Sequence, residues 1–327
     1  MRVISLFSGI GGLDLGFINA GFEVIWANDC NNNAMVNYCN NININHFDNR
    51  KFEHIPFSQI PDTFDGIITG MPGKGWSISG NLSGIRNRKG QYIFDFIRLI
   101  NKKKPNFFLI EMLPGFSFKY NRQPYLFIIE LLNDAGYTIT QKTLNAKDYG
   151  VPQDRKRIFI LGIKNTIQKS FYFPSICKKR VSMFDSIYDL KDNALKAVDD
   201  YKPNSFHSEI KNHEYIEGNF SPMFLSRNRV RDWNEVSYTI QGDRRLIPIH
   251  PDAPKMLKSN NNKYVFNPSH IERYRRLTIR ECARLQSFKD SFILYYDTLN
   301  IGYQLIGNAT PPLLAQNIAR QLLIYFQ

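Results

Sequence analysis

Along the first 163 residues, short apolar runs rich in β-branched side chains alternate with stretches in which apolar positions recur every three or four residues. This switching of period is the pattern of a parallel sheet covered by helices. It predicts strands at Arg2–Leu6 and Glu23–Asn28, with a helix beginning at Gly12–Asn19 between them. Phe64–Thr69 and Asn106–Ile110 read as further buried strands, separated by the amphipathic stretch Tyr92–Lys102. Pro124–Asn133 reads as another helix, ended by Ala135-Gly136, and Thr138–Leu144 with Arg157–Ile163 as a closing pair of strands.

Beyond Lys164 the texture changes. Aromatics, prolines and basic residues interleave without a helical period to about Asn267, which predicts a smaller, irregular domain. A helical pattern returns at Thr278–Gln286, and Leu313–Leu323 forms a last helix behind Pro311-Pro312. The expected division is 1–165 with 275–327 in one domain and 166–274 in the other. The Asn-rich stretches Asn31–Asn45 and Asn260–Asn262 read as low complexity without functional content.

Composition narrows the class. A chain of 327 residues with 43% hydrophobic and 22% charged positions is long enough for about two globular domains. No run approaches the roughly 20 apolar residues of a membrane helix, and Met1–Phe17 lacks a signal-peptide layout. No membrane partner and a cytoplasmic location are therefore expected. Cys30, Cys39, Cys177 and Cys282 form no Cys-x-x-Cys pair, so neither a disulfide framework nor a metal site is expected.

Charge adds a positive clue. The net charge is +13, and Ser226–Arg280 holds twelve Lys and Arg against five Asp and Glu. That concentration suits a polyanionic partner, with a solvated basic face as the plainer alternative.

Two features of the first strands bear on a ligand. The predicted strand Arg2–Leu6 runs through Phe7-Ser8-Gly9-Ile10-Gly11-Gly12 into a helix. Glycines there let backbone approach a ligand at a helix N-terminus, or simply make a tight turn. Asp29 ends the second strand, where a carboxylate can take both hydroxyls of a ribose or cap the next helix.

FSGIGGLDLGF at 7–17, TGMPGKGWS at 69–77, Glu111 after a strand, QDRKR at 153–157 and GYQLIGNATP at 302–311 follow in one order. In that order and spacing the chain resembles the cytosine-5 DNA methyltransferases over almost its whole length. SRNRVRDWNE at 226–235 and its continuation to HPDAPKML at 250–257 resemble the recognition region of the GGCC-methylating bacterial enzymes. The resemblance implies an α/β, Rossmann-like methyltransferase fold with a mixed, mostly parallel sheet, plus a smaller irregular target-recognition domain. It also implies duplex DNA as partner, a cytosine flipped from the helix, and S-adenosylmethionine as methyl donor.

In that family a cysteine thiolate adds to carbon 6 of cytosine, which makes carbon 5 nucleophilic. The family's Pro-Cys-Gln falls on Pro72-Gly73-Lys74, so Gly73 stands at the nucleophile's position and brings no side chain. Cys30, Cys39, Cys177 and Cys282 all lie elsewhere in the chain. The resemblance assigns Glu111 to ring nitrogen 3, and Gln153, Arg155 and Arg157 to the motif that holds the base and the cysteine loop. Phe7, Gly9, Gly11, Asp29, Pro72 and Asn308 match cofactor-contacting positions. Cys30 replaces an aromatic that stacks on adenine, and His54 falls on the aspartate that receives its amino group. These departures imply weakened binding of S-adenosylmethionine. Trp76 and Ser77 fall in the family's loop over the flipped base.

Arg227, Arg229 and Arg231 alternate as on one face of an extended strand, and Arg244-Arg245 follow in a turn. The resemblance points to Arg227, Arg229 and Arg245 as base readers. Lys255, Lys258, Arg273, Arg275 and Arg276 are expected to contact phosphates. The sequence therefore points to a degenerate family member, a pseudoenzyme that binds GGCC-like duplex DNA without transferring methyl groups. An active enzyme of a restriction-modification system, with Lys74 in support, and a non-catalytic subunit paired with a methylase or nuclease stay open beside it.

Overall fold

The computed structural model describes residues 1–72, 88–117, 121–167, 169–177, 180–204, 209–259 and 263–327. The chain packs into two compact units. Met1–Asn145, Lys156–Ser175 and Leu314–Gln327 form the first; Ala146–Arg155 and Ile176–Leu313 form the second.

The chain opens with β1 (Arg2–Leu6), α1 (Gly12–Ala20), β2 (Glu23–Asn28), α2 (Asn32–Asn41) and β3 (Phe47–Asp48). It continues through β4 (Gly66–Gly70), α3 (Arg88–Lys103), β5 (Phe107–Met112), α4 (Arg122–Asp134) and β6 (Tyr137–Asn145). The two-residue β7 (Gln153–Asp154) belongs to the second unit, and β8 (Lys156–Lys164) returns to the first. These elements build a seven-stranded sheet in the order β3-β2-β1-β4-β5-β8-β6. Strands β3 to β5 run parallel, whereas β8 is antiparallel to both β5 and β6. The fold is thus α/β with a mixed, mostly parallel sheet of the Rossmann-like methyltransferase kind, as the sequence implied.

The central strands read as unbroken apolar runs because helices cover both faces. Val3, Ile4, Ile67, Ile68 and Phe107–Ile110 are fully buried. From β1 the chain moves outward to β2 and β3, then returns to β4 on the other side of β1. Strand order reverses there, and in open α/β sheets ligands bind at the carboxyl ends of the strands beside such a reversal.

The nine strand and helix segments read from residues 1–163 all form, with ends shifted by a few residues. The Asn-rich stretch carries α2, the helix expected after Asp29. Asn31 caps that helix through its side chain, which accepts from the amides of Asn33 and Ala34. The side chains of Asn37, Asn40 and Asn41 donate back to carbonyls four residues earlier. Buried Ala34 and Tyr38 anchor the inner face.

The second unit is irregular, as its texture predicted. After β7 come α5 (Met183–Ile187), β9 (Leu195–Lys196), β10 (Glu214–Tyr215) and β11 (Ser237–Tyr238). Then follow β12 (Leu257–Lys258), β13 (Tyr264–Val265), α6 (Ile279–Leu285) and α7 (Leu299–Asn308). Among the described residues its strands form two-stranded pairs, β9 with β10, β7 with β11 and β12 with β13. Phe224, Val230, Ile249, Ala253 and Met256 make a small core. Helix α7 was hidden in the sequence by its glycines, yet Gly302 is needed for close approach, since a Cβ there would lie 2.4 Å from Ile279 Cδ1. The last helix, α8 (Pro312–Phe326), enters the first unit, where Phe326 packs on Phe107. No helix among the described residues is long and apolar enough to cross a membrane.

Candidate functional site

The turn after β1 is built from left-handed backbone, with φ of 51° at Phe7, 56° at Gly9 and 82° at Gly11. Gly11 caps α1, and a Cβ there would meet Ile42 Cδ1 at 2.2 Å and the Tyr38 ring at 2.9 Å. Only glycine satisfies both the φ and the contact. Below it, the Tyr38 hydroxyl donates to Asp14 at 2.8 Å. Burial pushes the Asp14 carboxyl up to about 6, while hydrogen bonds from Ser5 and Tyr38 oppose the rise.

Above the turn the space is open: a Cβ on Gly9 would meet nothing within 4 Å. Asp29 faces the turn from the end of β2. Its carboxylate accepts from the Gly9 amide at 2.9 Å and from the Asn31 amide at 2.9 Å. Burial raises its pKa against those two bonds. The cap of α2 is Asn31, so Asp29 serves the turn. The Phe7 ring lies 5.5 Å from Phe52 and 5.1 Å from Tyr92, forming an aromatic wall. Cys30 is exposed, with its thiol pushed up by burial and by the Asp29 charge. His54 is exposed on a short 3-10 turn, Phe52–His54. The acid that ends β3 is Asp48, held below the ordinary carboxylate range chiefly by its bond from Arg50.

Pro72 follows β4 as the last described residue of that loop. Gly73, Lys74, Trp76 and Ser77 lie outside the described residues. Glu111 on β5 pairs in register with Gly70 on β4 and with Phe159 on β8. Two residues before Phe159, Arg157 projects from the same face, as strand alternation requires. Its Nε lies 2.7 Å from Glu111 Oε1. Burial lowers the Arg157 pKa, and the Glu111 charge works against that fall.

In the second unit, Arg155 is buried and donates to the carbonyls of Ile240, Gly307 and Ala309 at 2.9–3.0 Å. Gln153 accepts from the Ile240 amide at 3.0 Å and donates to the Leu285 carbonyl at 3.3 Å. Two motifs far apart in sequence, QDRKR and GYQLIGNATP, thus meet around the 240–242 segment. Asn308 joins them there: its Oδ1 would lie 3.0 Å from a Cβ on Gly242.

The arginines divide by what holds them. Arg227 is exposed, its guanidinium 4.9 Å from the centre of the Tyr238 ring. Arg229 donates to the carbonyls of Phe224 at 2.6 Å and Met223 at 2.9 Å. Arg231 sits 4.1 Å over Tyr238 and 3.8 Å from both Asp154 and Glu235. The alternating trio belongs to no strand; it converges on one aromatic ring. Arg245 is exposed, with Nε and one terminal nitrogen on Asp243. Lys258 is exposed on β12.

Two expected phosphate contacts are corrected. Arg276 is buried and donates to the carbonyls of Ile216, Gly218 and Asn219, and burial lowers its pKa to about 10. Arg275 forms a two-pronged ion pair with fully buried Glu281. Both are spent inside the second unit because the local loops leave carbonyls and a carboxylate that need donors. Arg273 and Lys255 are exposed but already engaged, by the Asp252 carbonyl and by Asp232 respectively. Sequence reasoning missed Tyr238, Tyr38 and Asp243, which support the residues it named. Only Asp243, beside Arg244-Arg245, left a local signal. No group of three or more His, Cys, Asp or Glu is placed to hold a metal among the described residues.

A family description for C-5 cytosine-specific DNA methylases matches residues 1–323. The chain is 41% identical over 322 residues to the type II methyltransferase M.MthTI of Methanothermobacter thermautotrophicus, covering 98% of this chain and 97% of that one. It is 42% identical over 325 residues to the type II methyltransferase M.FnuDI of Fusobacterium nucleatum, covering 98% and 94%. Among solved structures, the Entamoeba histolytica methyltransferase EhMeth shares the fold with a TM-score of 0.73 at 17% identity, covering 100% of this chain and 99% of that one.

Proposed function

The chain belongs to the C-5 cytosine-specific DNA methylase family, and from that premise we propose that it is a sequence-selective DNA-binding member that no longer transfers methyl groups. One observation carries the proposal. Gly73 occupies the position that in the family supplies the thiolate, and glycine has no atom that can bond to carbon 6. Without that bond carbon 5 stays a poor nucleophile, whatever else the site retains.

The rest of the site supports holding a base. Glu111 and Arg157 form a buried pair on one face of the sheet, suited to the polar edge of a flipped cytosine. In this reading Arg157 holds Glu111 in place. Arg155 is a positioning residue, since its guanidinium is consumed by carbonyls. By role, residues 1–165 and 275–327 carry the methyltransferase-like part, and 166–274 the recognition part.

A methyltransferase family implies S-adenosylmethionine, which supplies the methyl group when bound. The first unit fits a nucleoside: open space over Gly9, the Asp29 carboxylate in front of it, and the Phe7 ring in an aromatic wall. Phe7, Gly9, Gly11, Asp29 and Pro72 of this unit would hold the cofactor. Cys30 offers no ring for adenine and His54 no acceptor carboxylate, so affinity is weakened.

Recognition rests on the arginines of the second unit. Arg227, Arg229 and Arg245 read bases of a GGCC-like site, and Lys258 contacts phosphate. In this reading the base is held extrahelically without a covalent bond to the protein. A GGCC duplex with a fluorescent base analogue at the target cytosine tests this. Brightening on binding, absent with a scrambled duplex, is expected; selective binding without brightening would refute flipping, and equal binding of both duplexes would refute selectivity.

A further inference from the structure

Three guanidinium groups converge on one ring: Arg231 at 4.1 Å, Arg227 at 4.9 Å and Arg229 at 5.8 Å from the centre of Tyr238. Like charges drawn together need compensation. Arg231 has Asp154 and Glu235, and Arg229 has the carbonyls of Phe224 and Met223 together with the face of the Phe224 ring at 4.8 Å. Arg227 has neither: among the described residues its guanidinium faces only the Tyr238 ring, so its N–H donors are free. The Arg227 charge also helps burial to lower the Arg229 pKa, which marks the two heads as close neighbours.

Tyr238 is itself fixed from three sides. Its backbone pairs in β11 with Asp154 of β7. Its hydroxyl donates to the Asn228 carbonyl at 3.1 Å, between Arg227 and Arg229 in the chain. The adjoining residues are bound to the same motif: Thr239 donates to the Asp154 carbonyl at 2.5 Å, and the Ile240 amide donates to Gln153 at 3.0 Å. The ring is therefore mounted on the backbone of QDRKR and presents its negative face to the arginine segment.

We propose that Tyr238 is the positioning residue for sequence reading: its ring holds the Arg227 fork in a preorganised direction and registers the arginine segment against β7. This rests on the DNA-binding reading above. A flexible arginine free in solvent would still attract phosphate, but it would lose the fixed fork geometry that distinguishes guanine. Tyr238 thus acts on discrimination rather than on general affinity.

The experiment measures binding of the full chain to a duplex pool randomised at four positions, then to the preferred duplex and a scrambled one, for wild type, Tyr238→Phe, Tyr238→Leu and Arg227→Ala. Wild type is expected to select a GGCC-like site. Tyr238→Phe, which keeps the ring, should retain most of that preference. Tyr238→Leu should lower the preferred-to-scrambled ratio about ten-fold while binding to scrambled DNA changes little. In the Tyr238→Leu background, Arg227→Ala should cost little further selectivity, since the two act together. A Leu variant that is folded by circular dichroism and as selective as wild type would overturn the proposal. Additive effects of the Leu and Ala changes, or a Phe variant as impaired as Leu, would overturn it also. A wild-type protein with no preference at all would overturn both this proposal and the DNA-reading function beneath it.

Discussion

Nε of Arg157 on β8 lies 2.7 Å from Oε1 of Glu111 on β5, with both side chains about nine-tenths buried. Removing one member strands the other charge away from water, which typically costs about 3–5 kcal/mol. Glu111→Gln and Arg157→Met should each lower urea-unfolding stability by that order. The double variant Glu111→Leu with Arg157→Met should cost clearly less than the sum. Additive losses would show that the two groups are independently solvated.

Arg155 makes a second, independent test. Its fork serves carbonyls from two segments separated by more than sixty residues, and lysine cannot reproduce that geometry. Arg155→Lys should destabilise the protein by roughly 2–3 kcal/mol, and Arg155→Met by more. Chemical denaturation measures both. A wild-type midpoint for the lysine variant would remove Arg155 from the role of bolt.

Glu214 on β10 gives a pH signature. It is fully buried, and burial pushes its carboxyl from 4.5 up to about 7. The folded state therefore holds this proton more tightly than the unfolded state does. Its contribution to stability is complete below about pH 4.5 and is lost as the pH rises through 7. Glu214→Gln should flatten the fall in stability over that window. An unchanged pH profile would contradict the assignment.

The arginine and lysine contacts separate by their salt response. Arg245→Ala should relax base preference by roughly 1–3 kcal/mol at one position, with little change in salt slope. Lys258→Ala should weaken preferred and scrambled duplexes alike and reduce the salt slope by about one. Titrations at several salt concentrations check both, and identical behaviour of the two variants would contradict the division into readers and phosphate contacts.

The first unit was legible because local rules agree there: apolar runs make buried strands, and glycine with helical periodicity marks the turn after β1. The candidate residues there, Asp29, Glu111 and Arg157, were named by motif: Asp29 follows β2 and bonds the turn after β1, and Glu111 on β5 pairs with Arg157 on β8. The second unit was less legible. Its two-residue strands leave no period, and its arginines are sorted by partners distant in sequence: Arg276 by the carbonyls of 216–219, Arg275 by Glu281, Arg227 by Tyr238. Alternation alone could not separate an arginine spent on the fold from one left free. Helix α2, expected after Asp29, adds side-chain bonds from Asn37, Asn40 and Asn41 to carbonyls four residues earlier.

The most direct test of the account is methyl transfer. The protein is incubated with methyl-labelled S-adenosylmethionine and GGCC-containing duplex, beside Gly73→Cys and a relative with an intact Pro-Cys motif. The account predicts selective binding of the duplex by the wild-type chain with no label incorporated above background, and little recovery by Gly73→Cys alone. Label on cytosine carbon 5 after turnover by the wild-type chain would contradict it.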